Sequence, residues 1–384
     1  FVDPEKNKDI EFGSMEIAQL NSMAAEDIVQ STSGTKKTLL IVEDQRDIRL
    51  YLKILFDKEY NLLMATNGQE VPISAHDPLT RWRNTYYGIS ENGETAFIEM
   101  ASISGLPLVP PERRNPMLTT TYGTGEIIRD ALERGCRNFI IGIGGSATND
   151  AGLGMLQALG FRFSDKEGKE VGTGRGEVLI KVAYIDSTFV HPALNSCRFT
   201  VACDVQNPFY GSEGAAYVFA PQKGADREMV EALDAGLQNF AEVIRHTTGK
   251  DISHHPGAGA AGGMGGSLLA FLNAELKPGI QLMLEALDFS NKIKSADLII
   301  TGEGKADRQT LMGKVPSGIL AEARKQNIPV ILLAGNIEDS DELQQAGFEG
   351  VFSVNPPFIS LEEAMRPEVA CKNIQQTVES ICKK

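Results

Sequence analysis

The chain has 384 residues, of which 42% are hydrophobic, and a formal net charge of −14 at pH 7. This length is typical of a protein with about two or three domains. The negative charge argues against nucleic acid and anionic membranes as partners, because both repel an acidic surface. No apolar run reaches the roughly 18 residues that a membrane-spanning helix needs, so none is predicted.

Cysteine usage indicates a reducing compartment. The five cysteines are widely spaced, odd in number and without a C-x-x-C pair, which argues against a disulfide framework and a zinc site. They are Cys136, Cys197, Cys203, Cys371 and Cys382. We therefore predict reduced thiols and a cytoplasmic protein.

The N-terminal region divides into two parts. Residues 1–35 show no sustained periodicity and end in Ser, Thr and Gly, which predicts a linker or a disordered segment. Residues 38–42 form an apolar run typical of a buried strand, and residues 60–65 form a second one. Apolar residues at helical spacing lie between these runs. We predict a βαβ unit over 36–71.

The middle of the chain begins with a hairpin signal. Alternating residues over 86–100 surround an Asn-Gly pair at 92–93, which predicts two antiparallel strands joined by a turn. Apolar residues at helical spacing over 127–132 then predict a helix. We expect Thr124 to be its N-cap and Gly135 to end it.

Strand and helix signals alternate from residue 296 onward, which predicts a parallel sheet. The predicted strands are 298–300, 330–333 and 351–354, and the predicted helices are 319–324 and 342–345. We predict a two-domain α/β fold. In it, 36–71 shares a mostly parallel sheet with 281–384, and 72–280 forms an inserted mixed α/β domain.

A glycine-rich, charged segment follows the first of these C-terminal strands. Its glycines and charged residues include Gly302, Glu303, Gly304, Asp307 and Lys314. Glycines let the backbone approach a phosphate, carboxylates can hold Mg²⁺, and a lysine can neutralise phosphate oxygens. A solvated turn is the alternative. We predict a loop that binds phosphate and metal at this strand end.

A second glycine-rich segment, 142–152, lies between a predicted strand and a predicted helix. Gly144, Gly145 and Ser146 can form a phosphate or carboxylate cradle from backbone N–H groups at a helix start. Asp150 either accepts a hydroxyl proton or binds Mg²⁺ through water, or it only caps the following helix. The sequence leaves these alternatives open.

Three further features accompany these two segments. Asp204 ends the apolar run 201–203 and precedes an Asn-Pro turn, so its carboxylate either faces a ligand or stabilises the turn. A glycine run over 257–266 either lets a ligand approach or packs two elements closely. Lys223 supplies a cation in a Pro-Gln-Lys-Gly turn.

These loops, in this order, resemble the bacterial glycerate kinase family from about Asp77 to the C-terminus. The matching segments are 115–126, 144–150, 203–204, 211–224, 257–263 and 301–314. The resemblance implies a Rossmann-like domain with an inserted domain, and a substrate site in the cleft between them. It also implies phosphorylation of D-glycerate by ATP to 2-phosphoglycerate. A protein that binds nucleotide or glycerate without turnover is the alternative.

The resemblance leads to a hypothesis for the roles of individual residues. Asp150 or Asp204 would orient the substrate hydroxyl and accept its proton. Glu303 and Asp307 would hold Mg²⁺, with Asp307 also counted among the catalytic residues, and Lys314 would offset charge on the ATP phosphates.

The substrate's own carboxylate would be held by Arg81 or Lys223. D-glycerate and a nucleotide are thus the expected partners. The oligomeric state stays open, with a homodimer as one option.

The N-terminus departs from this family. Members open with a strand and an Asp-Ser-Phe-Lys-Gly-Ser motif and later carry an acidic, glycine-rich loop, and neither is present here. Instead, 36–70 resembles the first half of a two-component response-regulator receiver, with Glu43-Asp44 as its acidic pair. The strand that carries a receiver's phosphoacceptor is absent. We therefore expect a receiver fragment fused to a kinase, with impaired activity, or alternatively a receiver-type signalling fragment.

Overall fold

The computed structural model describes residues 38–40, 61–63, 69–311 and 313–382. Strands β1 (Thr38–Leu40) and β2 (Asn61–Leu63) pair in parallel in a two-stranded sheet, which agrees with the strands predicted there. The rest of the predicted βαβ unit, including Glu43-Asp44, and the predicted linker lie outside the described residues. That this unit shares a sheet with 281–384 stays a prediction.

The central element is a six-stranded mixed sheet with the strand order β10-β9-β6-β5-β4-β3. Strands β7 and β8 form a separate antiparallel pair. The strands are β3 (Gln69–His76), β4 (Trp82–Ile89), β5 (Thr95–Glu99), β6 (Asn138–Gly142), β7 (Arg162–Ser164), β8 (Tyr184–Asp186), β9 (Arg198–Ala202) and β10 (Glu275–Lys277). The predicted hairpin is confirmed, because β4 and β5 pair antiparallel across a turn that contains Gly93.

Four strands of this sheet end at one edge. Strands β5, β6, β9 and β10 run parallel, whereas β3 and β4 pair antiparallel. Glu99, Gly142, Ala202 and Lys277 occupy one row across these four parallel strands. The loops that follow this row therefore emerge side by side, which is where α/β sheets bind ligands.

Six helices accompany this sheet within the described residues. They are α1 (Ala101–Ser104), α2 (Tyr122–Glu133), α3 (Leu153–Ala158), α4 (Ala215–Phe219), α5 (Arg227–Thr248) and α6 (Met264–Phe271). Buried side chains alternate along β6 and β9, so one face of the sheet packs into the core. Phe139 and Phe199 stack in this core with ring centroids 4.6 Å apart.

Helix α2 agrees with its prediction except at its start. Its N-cap is Thr121, and the prediction of Thr124 was wrong. Thr124 lies inside the first turn, where its buried hydroxyl is 2.8 Å from Ser104 Oγ, because packing on α1 takes this side chain inward. The predicted stop is confirmed, since Gly135 follows the helix in the left-handed region with a φ of 100°.

The C-terminal part contains a parallel sheet of β11 (Ile299–Ala306), β12 (Val330–Ile337) and β13 (Gly350–Ser353). Its helices are α7 (Gly279–Ala286), α8 (Phe289–Lys292), α9 (Val315–Arg324), α10 (Ser340–Gln345), α11 (Leu361–Ala364) and α12 (Pro367–Cys382). The α/β class and the strand-helix alternation are confirmed. Among the described helices, none combines the length and apolar character that crossing a bilayer would need.

One local prediction in this sheet was wrong. Residues 302–306 were expected in a loop, but they continue β11 and pair with β12 as far as Ala306 and Ile337. The reason is tertiary, because residues 330–334 of β12 are buried and offer a continuous row of backbone partners. The charged residues of this segment are therefore held on a strand.

Candidate active site

The glycine-rich segment after β6 is held in place by a buried lysine. Lys223 Nζ donates to Ser146 Oγ at 2.7 Å and to the Thr148 carbonyl at 2.6 Å. Gly145 has a φ of 68°, in the left-handed region that favours glycine. The turn that contains Lys223 and the predicted cradle thus form one unit at the carboxyl end of β6.

Burial also changes the acid-base behaviour of Lys223. Only 2% of its surface is exposed. Removal from water disfavours the charged ammonium and lowers its pKa to about 7, although the charge of Asp150 acts in the opposite direction. Lys223 can therefore gain or lose its charge near neutral pH.

Asp150 is fully buried and bonded to protein on both oxygens. Its Oδ2 accepts from the Thr121 N–H and hydroxyl, both at 2.8 Å, and from the Gly154 N–H at 3.3 Å. Its Oδ1 accepts from the Gly152 N–H at 3.3 Å. Burial raises the pKa of Asp150, whereas these hydrogen bonds lower it. The contacts favour the capping alternative, and a catalytic role for Asp150 stays a prediction.

We expect Asp150→Asn to lower the free energy of unfolding by about 3 kcal/mol, because an amide turns N–H groups toward donors. Urea unfolding would measure this loss. Asp226→Asn is the control, because Asp226 caps α5 at an exposed site through one bond of 2.9 Å from the Met229 N–H. Unchanged stability with abolished turnover would instead point to a catalytic Asp150.

Asp204 occupies the opposite kind of environment. It follows β9 by two residues and is exposed. Its Oδ1 accepts from the N–H of Gly279, the first residue of α7, at 2.9 Å. This bond fixes the carboxylate at a helix start, where negative charge is favoured. Asp204 is therefore a positioned, solvent-accessible carboxylate at the edge where four strands end.

A second cluster of charges lies on β11 and in the segment that follows it. Lys314 Nζ lies 3.7 Å from Glu303 Oε2 and 4.0 Å from Asp307 Oδ1. The Thr310 hydroxyl donates to Glu303 Oε1, and the Gln309 N–H donates to Asp307 Oδ1. The two carboxylates therefore face a common space, and the Lys314 ammonium lies between them where another cation could bind.

This cluster suits a hard cation only in part. Carboxylate oxygens are the ligands that Mg²⁺ prefers, but the described residues contain no group of three or more side chains able to hold a metal. Glu303 and Asp307 would supply two ligands at most. Water and phosphate oxygens would complete the shell, as is common for Mg²⁺ at phosphate sites.

Two helix starts connect the strand edge with this second cluster. Helix α7 begins at the residue bonded to Asp204, and its Ile280 packs against Gly318 of α9. A Cβ at Gly318 would lie 2.4 Å from Ile280 Cγ1, so the helices touch closely here. The Gly318 N–H donates to the Lys314 carbonyl at 3.2 Å. Asp204 and Lys314 are thus attached to the starts of two packed helices.

Arg81 is engaged by a carboxylate of its own turn. Its guanidinium contacts Asp77 Oδ2 from Nε at 2.8 Å and from a terminal nitrogen at 2.6 Å. Asp77 is buried and also accepts from the N–H groups of Leu79 and Arg81. These bonds favour a structural role in the turn before β4, and a substrate contact by Arg81 stays a prediction.

Two predicted phosphate-contact glycines differ from the other described glycines. Gly144 and Gly304 have no heavy atom within 4 Å of a Cβ position and no positive φ, so neither space nor backbone conformation requires glycine there. At Gly302, by contrast, a Cβ would lie 3.1 Å from the Leu333 carbonyl oxygen. Glycine lowers stability relative to alanine inside regular structure, so a ligand that approaches the backbone would explain these two positions.

Sequence reasoning missed three residues of the strand edge. Glu99 ends β5 in the row with Gly142 and is exposed, and its Oε1 accepts from the Ala101 N–H at 3.1 Å. Thr121 binds Asp150, and Asn149 is fully buried beside it. An acid at the end of the alternating segment was the available signal for Glu99. The other two contacts depend on tertiary packing.

An α/β fold whose strand ends present glycines, carboxylates and lysines is typical of enzymes that handle phosphate. A protein-family model described as "Glycerate kinase family" matches residues 60–384. A glycerate kinase of Haemophilus influenzae is 48% identical over 295 residues, which is 77% of this chain and 78% of that protein. A glycerate kinase of Bacillus subtilis is 45% identical over 322 residues, which is 84% of each.

An Escherichia coli K12 protein named glycerate 2-kinase is 48% identical over 306 residues, or 79% of this chain and 80% of that protein. A crystal structure from Salmonella typhimurium LT2, provisionally described as glycerate kinase 2, superposes with a TM-score of 0.77 at 38% identity. The superposition covers 91% of this chain and 100% of the Salmonella chain. The chain belongs to the glycerate kinase family.

The family resemblance begins earlier than predicted. The family model starts at residue 60, whereas the sequence motifs placed the start near Asp77, and that boundary was wrong. The structural reason is that β3 is the edge strand of the six-stranded sheet and so belongs to the kinase fold. The comparisons give no support to a receiver domain fused at the N-terminus.

Proposed function

We propose that this protein transfers the γ-phosphoryl group of ATP to the 2-hydroxyl of D-glycerate, giving 2-phosphoglycerate and ADP. The observation that carries the proposal is the 48% identity, over 79% of the chain, with the Escherichia coli protein named glycerate 2-kinase. The residues present fit this chemistry, because carboxylates, lysines and open glycines lie at the strand ends.

The second cluster serves the nucleotide in this proposal. Glu303 and Asp307 would hold Mg²⁺ through carboxylate oxygens, and Lys314 would bind the ATP phosphates. Bound Mg²⁺ neutralises charge on the phosphates and so lowers the barrier to phosphoryl transfer. Gly302 and Gly304 hold the backbone close to the phosphates.

The strand edge serves glycerate. Asp204 accepts the proton of the substrate hydroxyl as that oxygen attacks the γ-phosphorus and the bond to ADP breaks. Asp204 is exposed and can reach the substrate hydroxyl, whereas both oxygens of the buried Asp150 are bonded to protein, so Asp150 acts as a positioning residue at the starts of α2 and α3. Gly144, Gly145 and Ser146 form the cradle, with Lys223 as its cation.

The test is a coupled assay for ADP release with purified protein, Mg²⁺-ATP and D-glycerate, beside a reaction without glycerate. We expect glycerate-dependent turnover, and ³¹P NMR of the product should show 2-phosphoglycerate rather than the 3-isomer. Folded protein without turnover would refute the proposed activity and favour a protein that only binds its ligands.

We expect Gly304→Ala to raise the KM for ATP by about tenfold, or 1.4 kcal/mol of binding, with an unchanged melting temperature. The added methyl group meets no described protein atom but would occupy the space of a phosphate. Gly88→Ala is the control, because its Cβ would make an ordinary 3.5 Å contact with Phe97. An unchanged KM for ATP in Gly304→Ala would show that no ATP phosphate binds next to Gly304.

The remaining predictions about context become part of this proposal. The compartment is the cytoplasm, which agrees with the free thiols of Cys136, Cys197, Cys203 and Cys371. The expected partners are glycerate and nucleotide, without nucleic acid or membrane, and a homodimer is one option. A signalling role for residues 36–70 would require phosphorylation by a small donor such as acetyl phosphate, and we expect none.

A further inference from the structure

Most of the buried polar side-chain atoms without a partner in the described residues lie on two adjacent residues. Over 69–311 and 313–382, four buried side-chain atoms lack any hydrogen-bond partner, namely Thr148 Oγ1, Asn149 Nδ2 and Oδ1, and Arg175 Nε. Thr148 and Asn149 are fully buried and adjacent in the segment after β6. Because buried polar groups are normally paired, this group needs partners from outside the described protein.

A buried cation adjoins the unpaired atoms. The Lys223 ammonium has three donors, and the described residues provide two acceptors, one of them the Thr148 carbonyl. Arg175 precedes Gly176, which packs so closely that a Cβ there would lie 3.2 Å from the Asn149 carbonyl oxygen. Lys223 is therefore linked through Thr148 to the residue that carries the unpaired amide, and Arg175 directly precedes a glycine that packs on the Asn149 backbone.

The chemistry of this group selects a small hydroxy acid. The positive charges of Lys223 and Arg175 favour an anion, and the nearby Asp150 carboxylate is already bonded by Thr121 and two glycine N–H groups. The Asn149 amide offers both a donor and an acceptor. A carboxylate alone would leave the acceptor unpaired, whereas a ligand that also carries a hydroxyl satisfies both.

We propose that Thr148, Asn149, Lys223 and Arg175 form the subsite that binds the carboxylate and a hydroxyl of glycerate. This inference rests on the proposed function and adds the residues that select its substrate. The subsite follows β6, which pairs with β9 in the sheet, and Asp204 follows β9. The bound hydroxy acid therefore lies beside the strand that leads to Asp204. Asn149 has no exposed surface, so a ligand reaches its amide only if surrounding residues move.

The test compares Asn149→Ala with Asn239→Ala. We expect Asn149→Ala to raise the KM for D-glycerate at least tenfold, to leave the KM for ATP within twofold, and to keep the melting temperature of the free protein, since no described hydrogen bond is lost. Asn239 Nδ2 donates to the Leu179 and Val182 carbonyls, both at 2.9 Å. Asn239→Ala should therefore lower the melting temperature and keep the KM for glycerate.

Direct binding gives a readout that does not depend on turnover. D-glycerate should raise the melting temperature of the parent protein but not of Asn149→Ala or Arg175→Met, and glycerol, which lacks a carboxylate, should have no effect. Glycerate affinity should also fall above pH 7, by nearly tenfold per pH unit, as Lys223 loses the proton that an anion requires. Asp150 is the charged group that acts on Lys223, and its negative charge favours the protonated ammonium.

The outcomes separate this inference from the proposed function. A parent protein that is stabilised by glycerate but releases no ADP would refute the kinase activity and keep the subsite. A parent protein that turns over, with an unchanged glycerate KM in Asn149→Ala, would refute the subsite and keep the kinase. A lower melting temperature with an unchanged KM in that variant would make Asn149 a structural residue.

Discussion

Asp204→Asn is expected to lower kcat for glycerate phosphorylation by about 10²-fold to 10⁴-fold, the usual contribution of a general base. Asparagine keeps the oxygen that accepts from the Gly279 N–H, so the start of α7 should stay intact, and loss of the charge at this helix start should lower stability by no more than about 1 kcal/mol. The ability to take a proton is lost. Steady-state ADP release at saturating ATP and glycerate measures the effect.

The control for this variant is a carboxylate with the same local chemistry elsewhere. Asp226 also accepts a helix-start N–H and is exposed, but it caps α5 and none of the proposed substrate or nucleotide contacts involves its carboxylate. Asp226→Asn should keep kcat within about twofold, below one RT of activation free energy. A kcat in Asp204→Asn that equals the parent value would exclude Asp204 as the base.

Lys314→Met is expected to lower kcat/KM for ATP by about 10²-fold to 10³-fold, because a positioned cation that stabilises transferring phosphate is lost. Stability should change little, since the Lys314 contacts with Glu303 and Asp307 are long and the side chain is half-exposed. A second effect follows from the geometry. Without the ammonium between them, the two carboxylates should bind Mn²⁺ more tightly in the absence of nucleotide, which EPR titration measures.

Lys305→Met is the matched control for both readouts. Lys305 belongs to β11, as Glu303 does, and its ammonium pairs with Glu338 at 2.9 Å and lies 3.7 Å from Asp307 Oδ2. Among the described ion pairs, Lys314 contacts both Glu303 and Asp307, whereas Lys305 contacts only the second of these carboxylates. We expect near-parent kinetics and near-parent Mn²⁺ binding. Equal losses in the two lysine variants would show that general positive charge, rather than the position of Lys314, supports nucleotide binding.

Local sequence was sufficient for most elements of this fold. The hairpin, helix α2 with its glycine stop, and the alternating strands and helices after 296 all follow from side-chain period and turn residues, which act over a few neighbours. It failed at 302–306, where two glycines indicated a loop. Pairing with the buried strand β12 outweighed this local preference.

The two catalytic aspartate candidates show why the site was harder to predict. Asp150 lies in a glycine-rich segment before a helix, and Asp204 ends an apolar run before an Asn-Pro turn. For both, the sequence left a role toward a ligand and a local structural role open. The two aspartates differ in burial, and the buried Asp150 accepts a hydrogen bond from Thr121, 29 residues away in sequence. No local pattern contains that contact.

The amino-acid sequence by itself determined the α/β class, the kinase family motifs and the chemical groups available at the strand ends. Only the tertiary structure decided which of those groups are exposed, paired or left without a partner, as Asp204, Asp150 and Asn149 are. The physical reason is the distance along the chain over which each kind of interaction acts. Propensity and periodicity act between neighbours, whereas burial and hydrogen bonding depend on segments that meet only after the sheet has formed.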